Sequence, residues 1–293
     1  MPLTYTRTFD VRSYECDAYG HLNHANYLRY MQEAAIEASA RIGYDMARYE
    51  QLGTVWLAHE TDIEYLGSVM YGDTVEIATW VGDFGHTRSR RHYECRSIST
   101  GDLVARAYTD WVYIDRTTQR PTSIPAEMVS AFLPDGETTP APKHNDPPVP
   151  PPPPSVFTME RRVEWRDIDQ NAHVNNATYL NYLADCGFAA NAAVGWSATR
   201  TTSAGYAFMA RRHHIVYQQP AVLDDVLRME SYVSDLRRSS ARRYYTITRA
   251  RDNTPIARAF TLWMFVSLTT GRLTRMPPEI QADFAATIVE PEA

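Results

Sequence analysis

The sequence predicts an α+β chain in which one domain is written twice, and three observations carry that expectation. A polar block running from Asp17 to Tyr30 (DAYGHLNHANYLRY) returns 152 positions later from Asp169 to Tyr182 (DQNAHVNNATYLNY), with 7 of 14 positions identical. Chance identity at ordinary composition is roughly one position in fifteen, so the block marks a duplication. Each block runs into a stretch of helical period, and each helical stretch is followed by runs that alternate as antiparallel strands do. One long helix followed by about four long strands is an α+β arrangement.

The constant offset then sets the order of elements. Ile63 and Tyr65 fall on Ile215 and Tyr217, Arg90-Arg91 on Arg242-Arg243, Trp111 on Trp263 and Pro125 on Pro277, all without a gap. Leu28, Met31, Ala35, Ala38 and Ile42 form the buried stripe of the first helix; Leu180, Leu183, Gly187, Ala190 and Val194 form that of the second. Two of the five residues in each stripe are small, which lets a sheet approach the helix closely. Gly43 and Gly195 stand where a helix-terminating glycine belongs. In the strand opened by the Gly72-Asp73 turn, Val75, Ile77, Thr79 and Val81 share one face. Residues Arg88–Ser97 and Leu103–Ile114 read as further strands around the turn 99–102, and Arg242–Arg251 and Ile256–Leu268 repeat them.

The two copies are expected at residues 1–133 and 156–293, joined by residues 134–155, which hold 10 of the 18 prolines. Such a run cannot enter a helix or a central strand, so it reads as a polyproline-II tether able to span roughly 65 Å at ~3.1 Å per residue. That reach would let the copies pack face to face. A net charge of −6 argues against a nucleic-acid partner. No charged-then-apolar leader is visible, and no apolar run approaches the ~20 residues that span a bilayer. The three cysteines, Cys16, Cys95 and Cys186, do not align across the repeat and have no metal-site spacing. The expectation is a cytoplasmic protein with reduced cysteines, no metal, no cofactor and no membrane partner.

Asp17-x-x-Gly-His21-x-Asn23-His24-x-x-Tyr27, the helix, Ile63-Glu-Tyr65, Gly72-Asp73 and Ala105-Arg-Ala107 together resemble the hotdog-fold thioesterases, the first copy being similar to the 4-hydroxybenzoyl-CoA thioesterase group. The second copy, Asp167-Ile-Asp169-Gln-Asn171-Ala-His173-Val-Asn175-Asn176, resembles the catalytic stretch of the plant acyl-carrier-protein thioesterases. The resemblance covers nearly all of the chain outside the linker. It implies a tandem double hotdog, each a long helix wrapped by an antiparallel sheet, the copies paired as an internal pseudo-dimer with active sites at their interface. It also implies a thioester hydrolase of fatty acid metabolism acting on acyl-CoA or acyl carrier protein, with further association of chains left open.

Thioester hydrolysis needs a group that activates water or attacks the carbonyl, and donors for the oxyanion. The resemblance gives the catalytic position to Asp17 and Asp169, and the full Asp-x-Asn-x-His set to Asp169, Asn171 and His173. Asp169 would serve as base or nucleophile, Asn171 would orient water or the carbonyl, and His173 would shuttle a proton or fix the loop. These residues precede a helix N-terminus, whose first N–H groups lack internal partners. The same residue types also cap helices and tie down loops. The first copy has Tyr19 where the second has Asn171, so the complete set exists only once. Asn176, His213, Arg90 and Arg242 are candidate substrate-binding residues. His213 stands where the plant enzymes carry an acid, its counterpart in the first copy being Thr61. The arginines would meet coenzyme A phosphates or an acidic carrier, or else simply be solvated strand residues. Two other readings remain open: an enoyl-thioester hydratase, in which a proline usually stands where this chain has Ala172, and a non-catalytic acyl-thioester-binding protein.

Overall fold

The computed structural model describes residues 2–140, 144, 146–285 and 288–289. The chain divides into two compact units, residues 1–144 and 145–293. In the first, strand β1 (Tyr5–Asp10) leads through a loop into helix α1 (His24–Arg41) and the short helix α2 (Met46–Gln51). Strands β2 (Thr54–Tyr65), β3 (Thr74–Phe84), β4 (Arg88–Ser97) and β5 (Leu103–Asp115) follow, then the two-residue β6 (Arg120–Pro121) and α3 (Ala126–Phe132). These strands form an antiparallel sheet in the order β1-β3-β4-β5-β2, with β6 on β5.

The second unit repeats the plan with β7 (Phe157–Arg162), α4 (Thr178–Ala193), α5 (Ala198–Ser203), β8 (Tyr206–Tyr217), β9 (Val226–Ser234), β10 (Ser240–Arg249) and β11 (Pro255–Ser267). Helix α6 (Pro278–Phe284) and the two-residue β12 (Ile288–Val289), parallel to β9, complete it. Its strand order is β7-β9-β10-β11-β8. Even the irregularities recur, since the ladder slips at His59 in β2 and at Arg211 in β8, which are equivalent positions.

Each long helix packs its small-residue stripe on the sheet. Leu28, Met31, Ala35 and Ala38 are buried, as are Leu180, Leu183, Gly187 and Ala190; α1 packs on β3, where Val75, Ile77 and Thr79 are buried, and α4 on β9, where Leu227 and Met229 are. Gly43 and Gly195 adopt φ of 84° and 86°. Tyr44 N–H then reaches the Ser39 carbonyl, and Trp196 N–H that of Asn191, which satisfies end groups the helix leaves open. A second aromatic layer recurs at one offset: Tyr44, Tyr113, Met128 and Phe132 in one unit, Trp196, Phe265, Ile280 and Phe284 in the other. Its contributors α3 and α6 were not legible as helices in the sequence pattern, being only two turns long.

The described linker residues form no helix or strand, as the prolines require. They are nevertheless fastened. Thr139 donates its N–H to the Gly82 carbonyl and accepts from Trp80 Nε1, while Asp146 lies between the guanidinium groups of Arg212 and Arg242. Tyr232 donates its hydroxyl to the Pro150 carbonyl at 2.7 Å. Burial raises the Asp146 carboxyl, but the bonds from Arg212 and Arg242 outweigh it and hold the group below the ordinary range. Among the described residues no helix is long and apolar enough to cross a membrane.

Candidate active site at the mouth of the second helix

The loop from Asp167 to Thr178 is closed by its own polar groups. Asp169 N–H donates to the His173 carbonyl at 2.9 Å, Ala172 N–H to the Asp169 carbonyl at 3.0 Å, and Ile168 bridges Val174. This winding forces Ala172 to φ 60°, a left-handed conformation that its counterpart Gly20 adopts at φ 81° without penalty. Asn175 accepts the Ala177 N–H on Oδ1 at 3.0 Å, as Asn23 accepts that of Ala25. Asn23 thereby caps α1, while Asn175 closes the turn that leads into α4. The regular part of α4 starts only at Thr178, after a turn closed by Thr178 N–H on the Asn175 carbonyl, whereas α1 starts at His24.

Asp169 sits inside this winding. Its Oδ1 accepts the Asn171 N–H at 2.8 Å, and its Oδ2 takes the longer 3.4 Å bond from Asn175 Nδ2. His173 is half-buried; burial lowers its imidazole pKa, and the opposing pull of the Asp169 charge is the smaller effect. Asn176 lies at the same turn, and its Nδ2 is buried without an acceptor among the described residues. In the first unit Asp17 Oδ1 accepts from the N–H groups of Tyr19 and His21, and the Tyr19 ring lies 6.4 Å from that of His21. Asp169, Asn171, His173 and Asn176 thus share one loop, and Asp17 holds the equivalent place in the first unit.

The remaining candidates lie on strands. His213 is fully buried, with Nδ1 2.8 Å from Thr261 Oγ1; its counterpart Thr61 lies 3.2 Å from Thr109 by hydroxyl contact across the same pair of strands. His214 points to the opposite face, beside Phe260. Arg90 makes a two-pronged bond to Asp110, both contacts at 2.6 Å, and Arg242 pairs with Asp146 and Asp235. Among the described residues no cluster of histidine, cysteine and acidic groups could hold a metal ion.

The hydrogen bonds that hold this loop in place were not foreseen from the sequence. Asp167 is buried, accepting the Glu164 N–H and the Tyr182 hydroxyl at 2.7 Å. Glu15 accepts from Tyr30 in the same way in the first unit. Tyr217 donates to the Asn176 carbonyl at 3.1 Å, as Tyr65 does to that of His24. The signal was present: Tyr30/Tyr182 and Tyr65/Tyr217 are tyrosine in both copies, at positions where an apolar residue would serve the core equally well.

Helix, wrapping antiparallel sheet and polar helix mouth, present twice, define the chain as a tandem pair of hotdog domains. The profile of the Thioesterase-like superfamily matches residues 11–132 and again 163–284, and the chain belongs to that superfamily. Among curated proteins it is 25% identical over 194 residues to a chloroplastic palmitoyl-acyl carrier protein thioesterase of Cuphea hookeriana, a match covering 62% of this chain and 46% of that protein. The chain spans about half the length of the curated relatives it matches. Among solved structures, a putative oleoyl thioesterase from Lactobacillus plantarum superposes with a TM-score of 0.75 at 18% identity, over 90% of this chain and 96% of that one. The 12:0-ACP thioesterase from Umbellularia californica superposes at 0.71 with 20% identity, over 89% and 93%. These likenesses establish the double-hotdog fold.

Proposed function

We propose that the chain hydrolyses acyl thioesters of coenzyme A or of acyl carrier protein, and that the working site is the helix-mouth loop of the second unit. The observation that carries this reading is the Asp169 carboxylate, fixed through Oδ1 by a backbone N–H while Oδ2, among the described residues, takes the long bond from Asn175. An oxygen so placed takes a proton from water as the water attacks the thioester carbonyl. The carbon–sulfur bond breaks, the acyl group leaves as a carboxylic acid, and the sulfur takes up a proton as a thiol. His173, kept neutral by its burial, can carry that proton to the sulfur. The buried Asn176 Nδ2 supplies a donor for the oxyanion. Tyr182 through Asp167, and Tyr217 through the Asn176 carbonyl, act as positioning residues.

Membership of the superfamily supports the reaction class, and the names of the plant relatives favour carrier-protein substrates. The test is thiol release from short, long and aromatic acyl-CoAs and from acyl carrier protein, by wild type, Asp17→Asn and Asp169→Asn. Asp169→Asn should lose about 10²-fold or more of kcat, the ordinary scale of base catalysis, while Asp17→Asn loses little. Full turnover in the double variant would overturn the assignment.

A further inference from the structure

The second unit contains an internal cleft of about 570 Å³, counting its open mouth, between α4 and the sheet. Gly187, Phe188 and Asn191 of the helix face Phe208, Arg243 and Trp263 of the strands across it. The lining is mostly apolar and aromatic, its polar members being Asn191, Ser240 and Arg243.

Arg243 is only 5% exposed, and its partners are neutral: Ser231 Oγ at 3.1 Å and Asn191 Oδ1 at 2.8 Å. Its neighbour Arg242 is held by two carboxylates, whereas no carboxylate pairs with Arg243 among the described residues. Burial accordingly lowers its pKa. A guanidinium carries five donors in a planar fork suited to a carboxylate, and a buried cation without a counter-ion is costly. Arg243 therefore offers an anion site within a largely apolar cleft.

Comparing the repeats shows how the space arises. Arg91 is the equivalent buried arginine of the first unit. There the Tyr49 phenol stands close enough for the two groups to influence each other's ionisation, and Phe132 lies over the guanidinium. The second unit has Thr201 in place of Tyr49 and Gly187 in place of Ala35. A Cβ on Gly187 would meet the Tyr245 hydroxyl at 3.1 Å and Arg243 Cδ at 3.7 Å, so its absence keeps the helix side of the cleft open.

We propose that this cleft binds an apolar monocarboxylate of the fatty-acid class, its chain among Phe188, Phe208 and Trp263 and its carboxylate on Arg243 beside Asn191. The site is distinct from the chemistry at Asp169. Asn191 lies 13 residues beyond the first residue of α4, roughly 20 Å along the helix axis at ~1.5 Å per residue. A free acid at this site would report the level of such acids to the chain without being turned over.

The experiment is calorimetric titration of the full chain with decanoate and with 1-decanol, kept below micelle formation, for wild type, Asp169→Asn, Arg243→Lys and Arg243→Met. Wild type and Asp169→Asn should bind one decanoate alike and bind decanol at least about tenfold more weakly, the scale of a charge-assisted bond. Arg243→Lys should keep part of that preference, and Arg243→Met should lose it. Absence of decanoate binding, equal binding of acid and alcohol, or an unchanged preference in Arg243→Met overturns the proposal. Should Arg243→Met not fold, Trp263→Phe decides the matter. Quenching of tryptophan fluorescence by decanoate should vanish in that variant, and its persistence would place the ligand elsewhere. Because Asp169→Asn is titrated alongside, loss of binding here and loss of the hydrolase reading are separate results.

Discussion

Ala172→Gly should stabilise this protein, although glycine ordinarily weakens a fold. Ala172 holds φ 60° because the loop must bring Asp169 N–H onto the His173 carbonyl and Ala172 N–H onto that of Asp169. A Cβ in the left-handed region costs about 1–2 kcal/mol. Ala172 is exposed, so no packing is lost with its methyl group. Against that gain stands the greater freedom of glycine in the unfolded chain, about 0.4–1 kcal/mol. The net is a stabilisation of roughly 0.5–1 kcal/mol, or about 1–4 °C for a unit of this size. The first unit supplies the reverse experiment. Gly20 occupies the same conformation at φ 81°, and a Cβ there would also meet Met70 Cε at 3.3 Å. Gly20→Ala should therefore destabilise by a similar or larger amount. Thermal unfolding of the full chain, followed by far-ultraviolet circular dichroism, reads both. A fall in midpoint for Ala172→Gly, or a rise for Gly20→Ala, would refute the claim that the winding of this loop is strained in one copy and relaxed in the other.

Two further outcomes follow from the same site. Tyr182→Phe keeps the ring beneath Arg161 but removes the hydroxyl that serves the buried Asp167. It should cost about 1–3 kcal/mol and lower kcat through misplacement of the loop; urea unfolding within about 0.5 kcal/mol of wild type would contradict this. His173 has its folded pKa below the ordinary 6.5. The unfolded chain therefore takes up the proton first as pH falls, and stability declines from the ordinary imidazole range down through the folded value. Above that range His173 contributes no slope. The acid limb of kcat/KM should correspondingly lie below 6.5, and the His173→Gln variant should lose that limb.

The sequence and the structure agree best where local chemistry decides. The stripe of Leu28, Met31, Ala35 and Ala38, the terminating Gly43 and the β4 span 88–97 were readable because periodicity and turn residues fix them without reference to distant parts of the chain. Asp169 and His173 drew attention because Asp17 and His21 repeat them in the first copy, and Asn171 because Tyr19 stands in its place there. What could not be read depends on contacts far apart in sequence. Which of two adjacent arginines turns inward was ambiguous from type alone; Arg243 faces α4 while Arg242 meets Asp146, 96 positions away. The Asp167–Tyr182 bond depends on how the loop folds back across 15 positions. The proline run announced an extended segment, and nothing in it foretold that Thr139, Asp146 and Pro150 would be fastened to strands.

The inequality of Tyr19 and Asn171 has a consequence for heredity. In a dimer of identical chains every coding change is expressed at two symmetric places, so neither place can drift without the other. A chain that carries both copies has two separate codons for the position, and each mutates alone. One helix mouth can then trade its amide for a phenol, and one helix flank can lose a side chain to open a cleft, while the sister copy keeps the older arrangement. Covalent fusion thus converts a symmetric architecture into two independently adjustable halves, each free to acquire a task that the other does not share.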